Sequence, residues 1–279
     1  MLKYIRDKDI LSRKETISVQ GRRVRLLIMS NRRQKEAAPG MLWIHGGGYI
    51  TGMKEMAFFG RAAELVRDHG AVVVSPDYAL APRHRYPAAL EDCYGALVWM
   101  KEHSGELNIR SDQIMCGGES AGGGLCAAVC LYVRDHGDVK IAYQMPLYPM
   151  IANYDTESSR DNHARIWNTR RNHFGWKMYL GGAWDREVPG YAAVLRTQNL
   201  ADLPPAYTFV GTAEPFYEET KEFVRRMQEA GNICEMDEYP GMYHAFDMMD
   251  PDHELSRIAI GRFHRHFAFA VNNYFAPQE

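Results

Sequence analysis

The stretch Gly118-Glu119-Ser120-Ala121-Gly122-Gly123-Gly124 constrains the fold more than any other part of the chain. A short apolar run, Gln113-Ile114-Met115-Cys116, precedes it, and Leu125 to Val133 reads as a buried helix behind it. A strand that passes into a helix through a single serine must turn back on itself within a few residues. The positions two before and two after that serine then face backbone, where only glycine leaves room; Gly118 and Gly122 occupy them. Such a turn holds the Ser120 hydroxyl at the first turn of the helix, where free N–H groups and the helix dipole favour negative charge. Strand, sharp turn, serine and helix together are the geometry of a nucleophile elbow.

A second glycine cluster, His45-Gly46-Gly47-Gly48-Tyr49, follows the apolar run Met41-Leu42-Trp43-Ile44. Consecutive glycines let backbone N–H groups point together into a cavity, as an acyl-transfer site requires where its oxyanion forms. The N–H groups of Gly47, Gly48 and Ala121 are the candidate donors, with His45 bracing the loop. A phosphate loop is a poorer reading, since no Gly-Lys-Ser/Thr follows.

Along the chain, Glu15–Gln20 and Arg22–Met29 alternate as an antiparallel hairpin at a sheet edge. The short apolar run Met41–Ile44 suits a strand buried on both faces, Val72–Val74 and Tyr207–Val210 read as buried strands, and Asp112–Gly117, Ile141–Met150 and Ile233–Tyr239 read as further strands. Helical patterns over Met56–His69, Pro87–Lys101, Leu125–Val133, Phe216–Ala230 and Leu255–Tyr274 lie among them. The last should place Leu255, Ile258, Ala259, Phe263, Phe267, Ala270, Val271 and Tyr274 on one stripe. This alternation predicts a single α/β domain over 1–279, with a mostly parallel eight-stranded sheet covered by helices on both faces. Residues 151–202 differ: they are rich in Asn, Arg, Trp and Tyr and weakly periodic. They read as a small cap of short helices laid over the carboxyl edge of the sheet. Their aromatics serve either a substrate pocket or the cap's own packing.

Reactive groups of such sheets collect at the carboxyl ends of the strands. Ser120, Glu214 and His244 each stand just past a strand, in the order nucleophile, acid, base. A serine hydroxyl attacks only once an imidazole takes its proton, and a carboxylate fixes that imidazole's tautomer. The expected roles follow: Ser120 the nucleophile, His244 the base, Glu214 its partner.

Composition narrows the alternatives. A net charge of −2 gives no footprint for nucleic acid, and the Arg22–Arg25 and Asn31–Lys35 clusters read as solvated faces. No apolar run approaches the roughly 18 residues of a membrane span. The start, Met1 to Lys8, has no apolar leader core, so a cytoplasmic location is expected. Five cysteines at irregular spacing form no zinc pattern and read as free buried thiols. Neither a metal nor a cofactor is called for, and the expected partner is a small-molecule substrate.

From Met41 to Phe246 the chain resembles the hormone-sensitive-lipase-like family of α/β-hydrolases, the bacterial carboxylesterases and acetyl esterases. His45-Gly46-Gly47-Gly48 resembles its oxyanion motif, and Gly118-Glu119-Ser120-Ala121-Gly122-Gly123 its elbow. Asp77-Tyr78-Ala79-Leu80-Ala81-Pro82, with Tyr86-Pro87-Ala88-Ala89-Leu90-Glu91-Asp92, resembles the block between them. Tyr239-Pro240-Gly241-Met242-Tyr243-His244-Ala245-Phe246 resembles its histidine loop. The resemblance implies a metal-independent serine esterase acting on short acyl esters. It also makes the final helix and last strand candidate surfaces for a homodimer. Three departures stand out. Glu119 replaces a frequent Asp. Glu214 stands where the family has the Asp of an Asp-Pro-Leu segment, which leaves Glu218 and Asp202 as contenders. Residues 1–14 are few beside the family's longer N-terminal portion, so a thinner cap and a more open pocket are implied. An amidase or formamidase using the same residues is the second enzyme reading. A non-catalytic small-molecule receptor on the same fold is the third, although His244, which such receptors lose, is present.

Overall fold

The computed structural model describes residues 7–182 and 184–278. Of the charged start, Met1 to Arg6 lie outside the described residues, as do Ala183 and Glu279. The chain opens with a hairpin, β1 (Ile10–Val19) and β2 (Arg22–Asn31), longer than the alternation alone marks out. Then come β3 (Ala38–Ile44), α1 (Arg61–His69), β4 (Val72–Pro76), α2 (Ala88–Glu102), β5 (Ile109–Glu119) and α3 (Ala121–His136). The second half runs β6 (Tyr143–Leu147), α4 (Thr169–Tyr179), β7 (Ala206–Gly211), α5 (Tyr217–Glu229), β8 (Cys234–Tyr239), α6 (Phe246–Met249) and α7 (Glu254–Asn273).

The eight strands form one sheet in the order β1-β2-β4-β3-β5-β6-β7-β8. β2 is antiparallel to both β1 and β4, and every pairing from β4 to β8 is parallel. β3 shows how two cores arise from one strand. Leu42 and Ile44 face the layer built from α2, α3 and α5, whereas Met41 and Trp43 face α1 and α7. Side chains alternate with period two, so a strand covered on both sides must be apolar throughout. No helix among the described residues is long and apolar enough to cross a membrane.

Several expectations change in detail. The run from Met56 to His69 is not one helix: a 3-10 turn over Lys54–Phe59 ends at Gly60, which is extended, and α1 starts only at Arg61. On α7 the buried stripe is Ser256, Ala259, Phe263, Phe267 and Ala270, while Ile258 is 43% exposed. At 100° per residue Ile258 cannot share a face with Ala259 and Phe263 at once. The Arg22–Arg25 cluster is more than a solvated face. Arg22 pairs with Glu91 and Asp92 at 2.7 and 2.9 Å, and Arg25 pairs with Asp77 at 2.6 Å, tying the hairpin to the 77–92 segment. Cys116, Cys126 and Cys130 lie with their sulfurs within 4.8 Å of one another, buried between β5 and α3, a grouping that their spacing does not reveal.

Residues 151–202 contain α4 and a 3-10 turn at Val194–Arg196. Trp176 and Tyr179 of α4 are buried, and Tyr179 stacks on Tyr49 at 4.1 Å. These two aromatics therefore serve packing. The carboxylate of Glu219 on α5 accepts the Ile151 and Ala152 N–H groups at 2.7 and 3.3 Å and fixes where this segment leaves the sheet.

Below the carboxyl end of β5 lies a buried charged cluster. Glu119 accepts the Trp43 indole N–H at 3.0 Å. Asp247 of α6 is fully buried and 3.7 Å from Arg61. Burial, and then the negative charge of Asp247, push the Glu119 carboxyl up to about 8, with Arg61 offsetting part of the effect. Glu119 is therefore protonated in the folded protein at neutral pH, while in the unfolded chain it ionises near 4.5. Between those values the native state holds the extra proton, so its stability falls as pH rises toward 8 and the loss is complete above it. Glu119→Gln should remove that slope. Urea unfolding at pH 6 and pH 9 should show the variant gaining roughly 2 kcal/mol on the wild type across this interval; parallel pH dependences would refute the assignment.

Candidate active site

Ser120 sits between β5 and α3 with φ 59° and ψ −121°, a conformation rare for a residue with a side chain. Its N–H donates to Leu147 O at 3.0 Å, and its carbonyl accepts the N–H groups of Gly124 and Met150 at 2.9 and 3.0 Å. The two glycines are required by contact. A Cβ on Gly122 would lie 2.0 Å from Ile44 O, and one on Gly118 2.5 Å from the same oxygen.

His244 follows β8, and Glu214 follows β7. The Ser120 hydroxyl lies 2.9 Å from His244 Nε2, and His244 Nδ1 is hydrogen-bonded to Glu214 Oε2. Glu214 Oε1 accepts the Gly211 N–H at 3.2 Å, so the fully buried carboxylate is held at both oxygens. Neither contender reaches the imidazole. Glu218 pairs with Lys221 on the outside of α5 at 3.1 Å. Asp202 lines a hollow with Val133 and Gly137 at the far end of α3, a 16-residue helix about 24 Å long. Three rings enclose His244: Phe216 and Tyr148 edge-on at 5.0 and 5.1 Å, and Trp167 at 6.3 Å.

The glycine loop after β3 passes beside the elbow. Gly47 and Gly48 have φ of +121° and +60°. Gly47 O accepts the N–H groups of Ile50 and Thr51 at 3.1 and 3.0 Å, which closes the loop into a tight turn. The N–H groups of Gly47, Gly48 and Ala121 donate to no acceptor among the described residues. For Ala121 this follows from its place in the first turn of α3. His45 is buried and stacked on Tyr78 at 4.2 Å; its Nδ1 lies 2.8 Å from Gly46 O, and its carbonyl accepts the Tyr78 hydroxyl at 2.9 Å. Burial lowers its pKa, so it braces the loop as a neutral ring.

Trp167 is one of the aromatics of residues 151–202 that the sequence leaves open between pocket and packing. A Cβ on Gly48 would meet its indole at 2.2 Å, and its N–H is buried without an acceptor among the described residues. The same indole lines a cavity of about 1130 Å³ together with Gly47, Ile50, Thr51 and the exposed side of α4. Chemically, the arrangement offers a hydroxyl beside a carboxylate-oriented imidazole, with uncommitted N–H donors close by and a cavity adjoining them.

Comparison with known proteins identifies the fold and family. A family model described as the alpha/beta hydrolase fold matches residues 41–248. Esterase LipI of Mycobacterium tuberculosis is 32% identical over 211 residues, covering 75% of this chain and 66% of LipI. An arylesterase of Saccharolobus solfataricus is 30% identical over 209 residues, covering 74% of this chain and 67% of its own length. The chain's match thus spans about two thirds of these curated relatives. Among solved structures, a bacterial heroin esterase is similar with a TM-score of 0.89 at 29% identity, over 94% of this chain and 85% of that one. An esterase of Pyrobaculum calidifontis gives 0.86 at 28% identity, over 94% and 86%. An elbow serine at the end of the central strand β5, an imidazole and a carboxylate after the two strands at the sheet's far edge, and a family match over most of the chain lead to one assignment: the chain belongs to the α/β-hydrolase fold family, in its hormone-sensitive-lipase-like group.

Proposed function

We infer that this protein is a serine carboxylesterase that hydrolyses short-chain acyl esters of small molecules through an acyl-enzyme. The observation that carries the reading is the continuous hydrogen-bonded chain from the Ser120 hydroxyl through His244 to Glu214. As Ser120 Oγ attacks the ester carbonyl, His244 Nε2 takes its proton. Glu214 holds the Nδ1–H tautomer and stabilises the imidazolium. The negative charge that develops on the carbonyl oxygen is met by the N–H groups of Gly47, Gly48 and Ala121. Collapse of the tetrahedral intermediate breaks the bond to the alcohol oxygen, which leaves with the proton from His244. Water then attacks the acyl group, gives its proton to His244, and releases the carboxylic acid with Ser120 restored. The names of the relatives support ester hydrolysis. The free, buried cysteines fit a reducing compartment, which supports a cytoplasmic setting.

Trp167 supports the preference for short acyl groups, because its indole fills the space over Gly48 beside the imidazole.

Three experiments test this reading. Ser120→Ala should lower kcat on 4-nitrophenyl acetate by about six orders of magnitude and abolish labelling by an organophosphate; an unchanged rate would end it. Glu214→Gln should cost about 10⁴-fold, whereas Glu218→Gln should stay near wild type; the reverse ranking would move the acid to residue 218. Trp167→Ala should raise the ratio of kcat/KM for octanoyl over acetyl ester by about tenfold, given ~0.8 kcal/mol per newly accommodated methylene. An unchanged ratio would place the acyl limit elsewhere.

A further inference from the structure

The cavity beside the oxyanion loop has an unusual electrostatic wall. Arg170, Arg171 and Lys177 line it against one carboxylate, Asp161, an excess of two positive charges in a chain whose net charge is −2. On α4, Arg170, Phe174 and Lys177 follow one another at spacings of four and three, so all three emerge on one side of the helix. All three line the cavity, facing Gly47, Ile50 and Thr51.

Surface cations on helices ordinarily pair with acids one turn away, and α5 does so: Lys221 binds Glu218, and Arg225 binds Glu222 and Glu229. α4 cannot, because none of its eleven residues is acidic. Of the acids nearby, Asp161 lines the same cavity, but each is held by a histidine. Asp161 binds His163 at 2.9 Å and Asp155 binds His173 at 2.7 Å. Arg171 turns its guanidinium to the carbonyls of Arg165 and Ile166. Arg170 and Lys177 are left at the cavity with no carboxylate partner among the described residues. Trp167, whose buried N–H also lacks an acceptor, lines the same space.

We propose that the ester taken by this site carries an anionic group, a carboxylate or a phosphate, that binds Arg170 and Lys177 while the ester carbonyl lies against Gly47, Gly48 and Ala121. The inference rests on the esterase reading and names its substrate class. A cleft with an excess of one sign of charge concentrates the opposite sign, and salt screens the effect. The guanidinium fork matches carboxylate and phosphate oxygens alike. Phe174, 53% exposed between the two cations, offers an apolar seat for the body of such a molecule.

The test compares matched esters on the full chain. On the alcohol side, 4-acetoxybenzoate and 4-acetoxyphenyl phosphate are set against phenyl acetate, which also separates carboxylate from phosphate. On the acyl side, 4-nitrophenyl hemisuccinate is set against 4-nitrophenyl butyrate. At low ionic strength at least one charged ester should exceed its neutral partner in kcat/KM by about tenfold, and 0.5 M salt should erase most of that ratio. Arg170→Gln with Lys177→Gln should abolish the preference. Arg33→Gln with Arg225→Gln removes equal charge at distant, exposed positions and should keep it. Hydrolysis of the neutral esters with no preference for any charged one, or a preference that survives the Arg170/Lys177 double variant, overturns this proposal and leaves the esterase reading intact. Failure to hydrolyse any of the esters overturns both.

Discussion

The amide on either side of Ser120 is the point on which the molecule turns. Its backbone is held at a positive φ that costs of order 1–3 kcal/mol, and three hydrogen bonds to β6, to the residues beyond it and to α3 keep it there. The close approach that forbids a side chain at Gly118 and Gly122 is to Ile44 O, the last carbonyl of β3. β3 is also the strand that delivers the glycine loop. One steric constraint therefore does two things: it shapes the nucleophile's turn, and it sets the N–H groups of Gly47 and Gly48 beside it.

Glu214 and His244, the proposed acid and base, are joined in a similar way. Gly211 closes β7, donates its N–H to Glu214, and could not carry a Cβ, because Met242 O would lie 2.1 Å from it. Met242 in turn receives the Ala213 N–H at 3.0 Å. The two loops that carry Glu214 and His244 are thus packed backbone to backbone. This also accounts for a glutamate where an aspartate is usual in the family. The extra methylene is taken up in a turn whose carboxylate is gripped at the second oxygen, so reach is gained without freedom.

What could be read from the sequence was whatever leaves a local mark. Glycines at fixed offsets around Ser120, apolar runs bounded by turn residues, and the order of Ser120, Glu214 and His244 all depend on neighbours along the chain. So does the mostly parallel sheet, because strands buried on both faces must be apolar throughout. What could not be read depends on residues far apart. Trp167 lies in a weakly periodic segment, and its place over Gly48 is set by how α4 docks through Trp176 and Tyr179. The cluster of Glu119, Arg61 and Asp247 joins three separate elements and leaves no pattern in any of them. The outward turn of Ile258 is a lesser case: its apolarity suggested the core, and only the angle fixed by Phe263 and Phe267 excludes it.

The buried cluster and the cationic wall make sense together when the charge at the reacting centre is followed. An ester carbonyl becomes an oxyanion in the transition state, and any fixed negative charge nearby opposes it in a site of low dielectric. Glu119 directly precedes Ser120, the proposed nucleophile, so an ionised carboxylate there would stand against the proposed reaction. Its burial against Trp43, with Asp247 close by, keeps it protonated at neutral pH. Of the other acids, Asp247 is paired with Arg61 at 3.7 Å, and Glu214 would be compensated by the imidazolium that forms beside it. On the open side Arg170, Arg171 and Lys177 outnumber the single carboxylate of Asp161. In the proposed mechanism the potential at the oxyanion is thus built from uncommitted N–H dipoles, a protonated carboxyl beneath and an excess of cations outside.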